Sequence, residues 1–164
     1  MSESRENKID ISKTEFQKIG YQLIDRIAEF LDSIDEKPVT NAKTPSELQE
    51  LIGNASLPQN GCSPAKLLSK TSNLLFNNSL HNGHPKFLGY ITSSAAPLGA
   101  LADLLASAVN PNVGAQILSP IATEIEKQTI NWLAEFIGVS PSYGGLLVSG
   151  GNMANFTAFL AALT

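Results

Sequence analysis

The chain has one cysteine, one tryptophan, two methionines and two histidines in 164 residues. A single cysteine excludes an intrachain disulfide framework and any cluster of thiolate metal ligands. Basic charge is also short. Eleven Lys and Arg stand against 15 Asp and Glu, a net charge of −4. That balance excludes the broad basic surface of most nucleic-acid binders. No run approaches the roughly 20 apolar residues that a membrane helix needs. The opening MSESRENKID has no apolar stretch, so it does not read as a secretory signal, and it is too acidic for a transit peptide. The expectation is a cytoplasmic, soluble protein with neither nucleic acid nor membrane as partner.

Charge is also scarce in one half. Residues 1–80 carry 20 charged side chains, whereas residues 81–164 carry six: Lys86, Asp103, Glu124, Glu126, Lys127 and Glu135. Soluble domains average about 25% charged residues. A segment so poor in charge reads as interior, or as surface to be buried by more chain or by a second subunit. The last ten residues, NFTAFLAALT, form an apolar helical pattern without a glycine stop or a polar tail. The expectation is the front part of a longer protein.

What is present is mostly helical pattern. Residues 1–11 read as a mobile tail. Ser12 with Glu15 forms a capping-box pair. Behind it Phe16, Ile19, Leu23, Ile27, Phe30, Leu31 and Ile34 recur every three or four residues, one apolar face of a helix over 12–36. The opposite face is mixed to acidic, which suits a partner helix or subunit better than a membrane surface. Thr44-Pro45-Ser46-Glu47 opens a second helix to about Ile52, with Gly53 as its stop. Ser63-Pro64 opens a third, to about Asn77. Pro97 begins a helix to about Val109, and Ser119-Pro120 begins one over 120–137, with Gly138 as a stop. A turn then leads into a short apolar strand, Leu146-Leu147-Val148, and a last helix begins at about Met153.

The junction between that strand and that helix, Ser149-Gly150-Gly151-Asn152, is the most chemical feature. Glycines admit a tight turn and close approach of a ligand to the backbone. A helix that starts there aims unpaired N–H groups and a positive dipole end at an anion. Asn152 caps the helix in one reading and donates its amide to an anion in the other. The turn has neither the GxGxxG of a dinucleotide site nor the lysine of a Walker loop. A plain turn and a phosphate site both remain open on spacing alone. His81 and His84 lack the further ligands a metal site wants, so loop polarity, or a hydrogen bond to a neighbouring backbone group, is their expected role. Phe87 and Tyr90 either pack or line an apolar pocket. Cys62 has no basic neighbour and reads as inert. Trp132 reads as a core or interface residue of its helix, and Lys127 as solvated. No nucleophile, base and orienting group stand together.

Several separated runs carry a resemblance. His84-Pro85-Lys86-Phe87-Leu88-Gly89-Tyr90, then Leu101-Ala102-Asp103, then Ser119-Pro120-Ile121-Ala122-Thr123-Glu124-Ile125-Glu126, then Trp132-Leu133, then Ser149-Gly150-Gly151-Asn152-Met153-Ala154-Asn155 follow one another. In order and spacing they resemble the pyridoxal-phosphate-dependent group II amino-acid decarboxylases, which act on aromatic amino acids, glutamate, histidine and related substrates. The likeness extends from about residue 12 to residue 164.

The resemblance implies a fragment that is mostly α. Residues 12–80 would be an N-terminal helical segment that wraps the partner in a homodimer. Residues 81–164 would begin the α/β large domain of the type I pyridoxal-phosphate fold. It implies that Gly150, Gly151 and Asn152 hold the cofactor phosphate, although position 152 is usually Ser or Thr in the family. Tyr90, Ile91 and Thr92 would lie by the substrate side chain. Val113 and Ala115 would reach into the partner's pocket, and aromatic-specific members often place a large ring where Ala115 stands. The family's Schiff-base lysine, the histidine over the cofactor ring and the aspartate at its pyridine nitrogen match nothing in residues 1–164. The resemblance therefore implies a parent enzyme that releases CO2 from an L-amino acid, no catalytic residue in this stretch, and no activity for it alone. A non-catalytic helical module that pairs with a decarboxylase-like subunit is the alternative.

Overall fold

The computed structural model describes residues 10–53, 56–140 and 142–163. Most of the expected tail, residues 1–9, lies outside the described residues. Among those described there are six α-helices and no paired strand. Contacts divide the chain into a unit ending at Ala96 and a unit beginning at Pro97.

In the first unit, helix α1 spans Lys13–Asp32. The Ser12 hydroxyl accepts from the Glu15 N–H at 3.2 Å, which satisfies one orphan donor of the first turn. The helix stops at Asp32 rather than running on to residue 36. The Ser33 hydroxyl and N–H both turn back to the Glu29 carbonyl, at 2.7 and 3.0 Å, and a 3-10 turn, Ile34–Glu36, follows. Helix α2, Pro45–Ile52, has a complete capping box. Glu47 N–H donates to the Thr44 hydroxyl, and Thr44 N–H donates to the Glu47 carboxylate at 2.7 Å. Gly53 closes it at φ +85°, where a side chain would be strained.

Helix α3, Pro64–Asn78, packs against α1. Phe30 and Phe76 stack at 4.5 Å with 9° between their planes. Ile19 of α1 and Ser72 of α3 are both 6% exposed. Ile19 is the buried hydrophobic residue among those described, so this two-helix contact is a thin core. Arg26 adds a polar clasp, with donation to Ser69 Oγ at 2.9 Å and to Asn73 Oδ1 at 2.5 Å.

In the second unit, α4 spans Pro97–Val109, α5 Pro120–Phe136 and α6 Gly151–Ala162. Asn110 ends α4 at φ +48°, a conformation that Asn tolerates better than most residues. Gly138 ends α5 at φ +77°. The expected strand at Leu146-Leu147-Val148 forms no ladder. A strand needs a neighbour for its N–H groups, and here Leu147 N–H donates to the Glu126 carboxylate of α5 at 3.0 Å. Trp132 is 61% exposed, so of its two expected places, a core or an interface, the core is not met within the described residues. Among the described residues no helix is long and apolar enough to cross a membrane.

Candidate functional site

Helix α6 starts two residues earlier than its pattern suggests. Gly150 is its N-cap, at φ +134° and ψ 173°, and Gly151 is its first residue. That backbone region is open to glycine almost alone. Asn152 consequently lies in the first helical turn and does not cap the helix. No side chain caps this end. The first N–H groups of α6 therefore have no acceptor from a capping side chain, and the helix dipole adds positive potential there. A Cβ built on Gly150 or Gly151 would meet nothing within 4 Å, so no neighbouring atom crowds the turn. A phosphate fits the donor set, with backbone N–H groups and the Asn152 amide within the same turn.

The other expected pocket residues fall in both units. Val113 and Ala115 lie on the turn between α4 and α5 and are exposed, Val113 by 60%. That turn is held by Gly114 N–H donating to Asn112 Oδ1 at 3.0 Å, and by Leu118 N–H donating to the Ala115 carbonyl at 3.0 Å. Tyr90, Ile91 and Thr92 belong to the first unit, on the connection between α3 and α4. Tyr90 has φ +60° and is 89% exposed. Its ring stands 6.5 Å from that of Phe87.

The histidines turn out to be structural and buried. His81 is 5% exposed and His84 4%. His81 Nε2 lies 3.2 Å from the Phe76 carbonyl, and its ring meets Phe30 edge-on at 5.3 Å. Its Nδ1 is a buried atom without a hydrogen-bond partner in the described structure. His84 bonds backbone through both nitrogens, to the Lys37 carbonyl and from the Lys86 N–H. Of the two roles the sequence allows them, loop polarity or a backbone hydrogen bond, the structure shows the second, and their burial is not signalled because the loop around them is polar. Among the described residues no group of three or more His, Cys, Asp or Glu is placed to hold a metal. Lys127 pairs with Glu124 at 2.7 Å, both half exposed. Cys62 is a free, exposed thiol.

Comparison with known proteins identifies the family and the fold. The pyridoxal-dependent decarboxylase conserved domain matches residues 45–164. An aromatic-L-amino-acid decarboxylase of Bacillus atrophaeus is 36% identical over 154 residues, covering 94% of this chain and 32% of that protein. A phenylacetaldehyde synthase of Petunia hybrida is 29% identical over 137 residues, 84% of this chain and 26% of that protein. Among solved structures, the crystal structure of Oryza sativa TDC with PLP and tryptamine superposes with a TM-score of 0.74 at 22% identity. That match covers 85% of this chain and 28% of the other, and it speaks to the fold. The chain thus spans about a third or less of the length of the relatives it matches. With the domain match covering most of its residues, the chain belongs to the pyridoxal-dependent decarboxylase family.

Proposed function

We propose that this chain is the front portion of an amino-acid decarboxylase, a carboxy-lyase that uses pyridoxal 5'-phosphate. The open, uncapped start of α6 at Gly150 and Gly151 supports the reading most directly. In it, backbone N–H groups of the turn and the Asn152 amide hold the cofactor phosphate. When bound, the cofactor supplies an electron sink for the bond pair left as CO2 departs. Tyr90, Ile91 and Thr92 shape the space for the substrate side chain, and their exposure leaves them free to do so. Val113 and Ala115 complete that space from a partner subunit in a homodimer formed through the N-terminal helices. A small residue at 115 leaves room there that a ring would fill, so the substrate side chain is not fixed as aromatic.

The residues here bind and orient. None moves a proton or forms a covalent bond to substrate, and the 164-residue chain by itself should be inactive. The complete protein, supplied with pyridoxal phosphate, should release CO2 from an L-amino acid. A complete protein that binds the cofactor yet decarboxylates no amino acid would overturn the proposal.

One observation favours a second reading, a non-catalytic module that pairs with a decarboxylase-like subunit. Phe136 is 88% exposed, Leu98 78% and Ile121 72%, in a stretch, residues 81–164, that carries six charged side chains in all. Such a surface calls for cover. Co-purification with a full-length decarboxylase subunit, without cofactor bound to this chain, would favour it.

A further inference from the structure

The segment that carries Tyr90 is a closed loop with a built base. Its ends meet at Gly83, where a Cβ would stand 3.2 Å from Ser94 Cβ and 3.5 Å from Ile34 Cδ1. Glycine permits that approach, and a larger residue would push the ends apart. His81 N–H donates to the Val39 carbonyl at 2.9 Å, which ties the loop's start to the segment before α2. The loop's tip is different. Leu88 is 92% exposed, Tyr90 89%, and Ile91 fully exposed. Tyr90 nevertheless holds φ +60°, a conformation that L residues adopt seldom and keep only when the surroundings determine it. Exposed tip side chains supply little of that determination.

The contacts at the base centre on His84. Its Nε2 lies 2.9 Å from the Lys37 carbonyl oxygen, and its Nδ1 is 3.0 Å from the Lys86 N–H. A carbonyl only accepts and an N–H only donates. The two partners together require one neutral tautomer, with the proton on Nε2 and a bare Nδ1. The His84 carbonyl also accepts from the Phe87 N–H at 2.9 Å. Phe87 in turn lies under the tip: a Cβ on Gly89 would be 3.1 Å from its ring, and the Tyr90 ring is its neighbour. A line of contacts therefore runs from the Lys37 backbone through His84 and Phe87 to Tyr90.

We propose that His84 is a positioning residue for substrate recognition: as the Nε2–H tautomer it fastens residues 84–92 to the backbone at Lys37 and so sets where the Tyr90 ring stands. The proposal rests on the reading of Tyr90 as part of the substrate pocket. His84 itself touches no substrate. Gly83 shares the task by letting the loop close.

The first test uses the full chain, labelled with 15N at histidine. Its two imidazoles are assigned with His84→Gln. At neutral pH the His84 ring should show a single tautomer, protonated at Nε2. Averaging between tautomers would overturn the proposal. His84→Ala should speed amide exchange at Tyr90 and Ile91 by about tenfold or more, with α1 and α3 unchanged. Unchanged exchange at the tip would also overturn it. If the alanine variant does not fold, His84→Gln carries the same comparison, because it keeps a donor near Nε2 and loses the acceptor at Nδ1.

The second test uses the complete protein. His84→Ala should raise the substrate KM about tenfold with kcat within about twofold, the pattern of binding lost equally from ground and transition state. His84→Gln should recover part of that loss. An unchanged KM, or an equal fall in kcat, would overturn the proposal. If the complete protein turns over no amino acid, the decarboxylase reading fails. The imidazole spectrum and the exchange rates still decide the loop clamp.

Discussion

Phe30 and Phe76 stack almost face to face, at 4.5 Å between ring centres, and join α1 to α3. The Arg26 guanidinium lies 6.0 Å from the Phe76 ring centre, and His81 meets Phe30 from the edge. The stack is an apolar contact near the end of α1, separate from the buried Ile19 nearer the helix start. Phe76→Ala should destabilise this unit by about 2 kcal/mol, less than a fully buried ring because Phe76 is half buried. Denaturant unfolding followed by far-UV circular dichroism would measure it. A loss within experimental error would show that the two helices are held by other means.

Helix α2 depends on a charged cap. The Glu47 carboxyl is held below its usual range, first by the Thr44 backbone N–H and then by the Thr44 hydroxyl, with Lys43 adding a little and desolvation opposing. A lowered value means that the folded state binds the proton less readily than the unfolded chain. The cap's contribution is therefore present above the ordinary Glu value and is lost as pH falls through the folded one. Amide exchange in α2 should quicken on acidification through that window, and Glu47→Gln should flatten the change. Thr44→Ala should cost the helix about 1 kcal/mol at neutral pH. A pH-independent α2 would contradict the cap's role.

Gly150 should tolerate no side chain. Its φ of +134° with ψ 173° belongs to glycine, and an L residue there costs about 1–3 kcal/mol or shifts the turn. Gly150→Ala in the complete protein should lower cofactor affinity by about tenfold or more. Absorbance of bound pyridoxal phosphate, titrated against wild type, would show it. Asn152→Ala keeps the turn and removes one donor, so its loss should be smaller. Equal affinity in all three proteins would place the phosphate elsewhere.

Much of the helical order is local and was therefore legible. Thr44, Ser63-Pro64 and Ser119-Pro120 mark starts, and Gly53 and Gly138 mark stops, because caps and left-handed turns are decided by a few adjacent residues. Residues 146–148 read as a strand because their composition suits one. A strand also needs a partner, and Leu147 finds a carboxylate instead. The pattern puts the start of α6 two residues late because Gly150 takes a backbone conformation that no pattern announces. The burial of His84 was hidden for a similar reason. Its partner Lys37 is 47 residues away, and only the folded loop brings them together. The roles proposed for Tyr90, Val113, Ala115 and Asn152 rest on family likeness, since spacing alone leaves the glycine turn with two meanings.

The central claim is best tested by carbon dioxide release. The complete protein, loaded with pyridoxal phosphate, would be given carboxyl-labelled aromatic L-amino acids, L-glutamate and L-histidine in turn. Labelled CO2 should come from at least one of them, and from none when the 164-residue chain is assayed alone. A cofactor-loaded complete protein that releases no label from any amino acid would contradict the account.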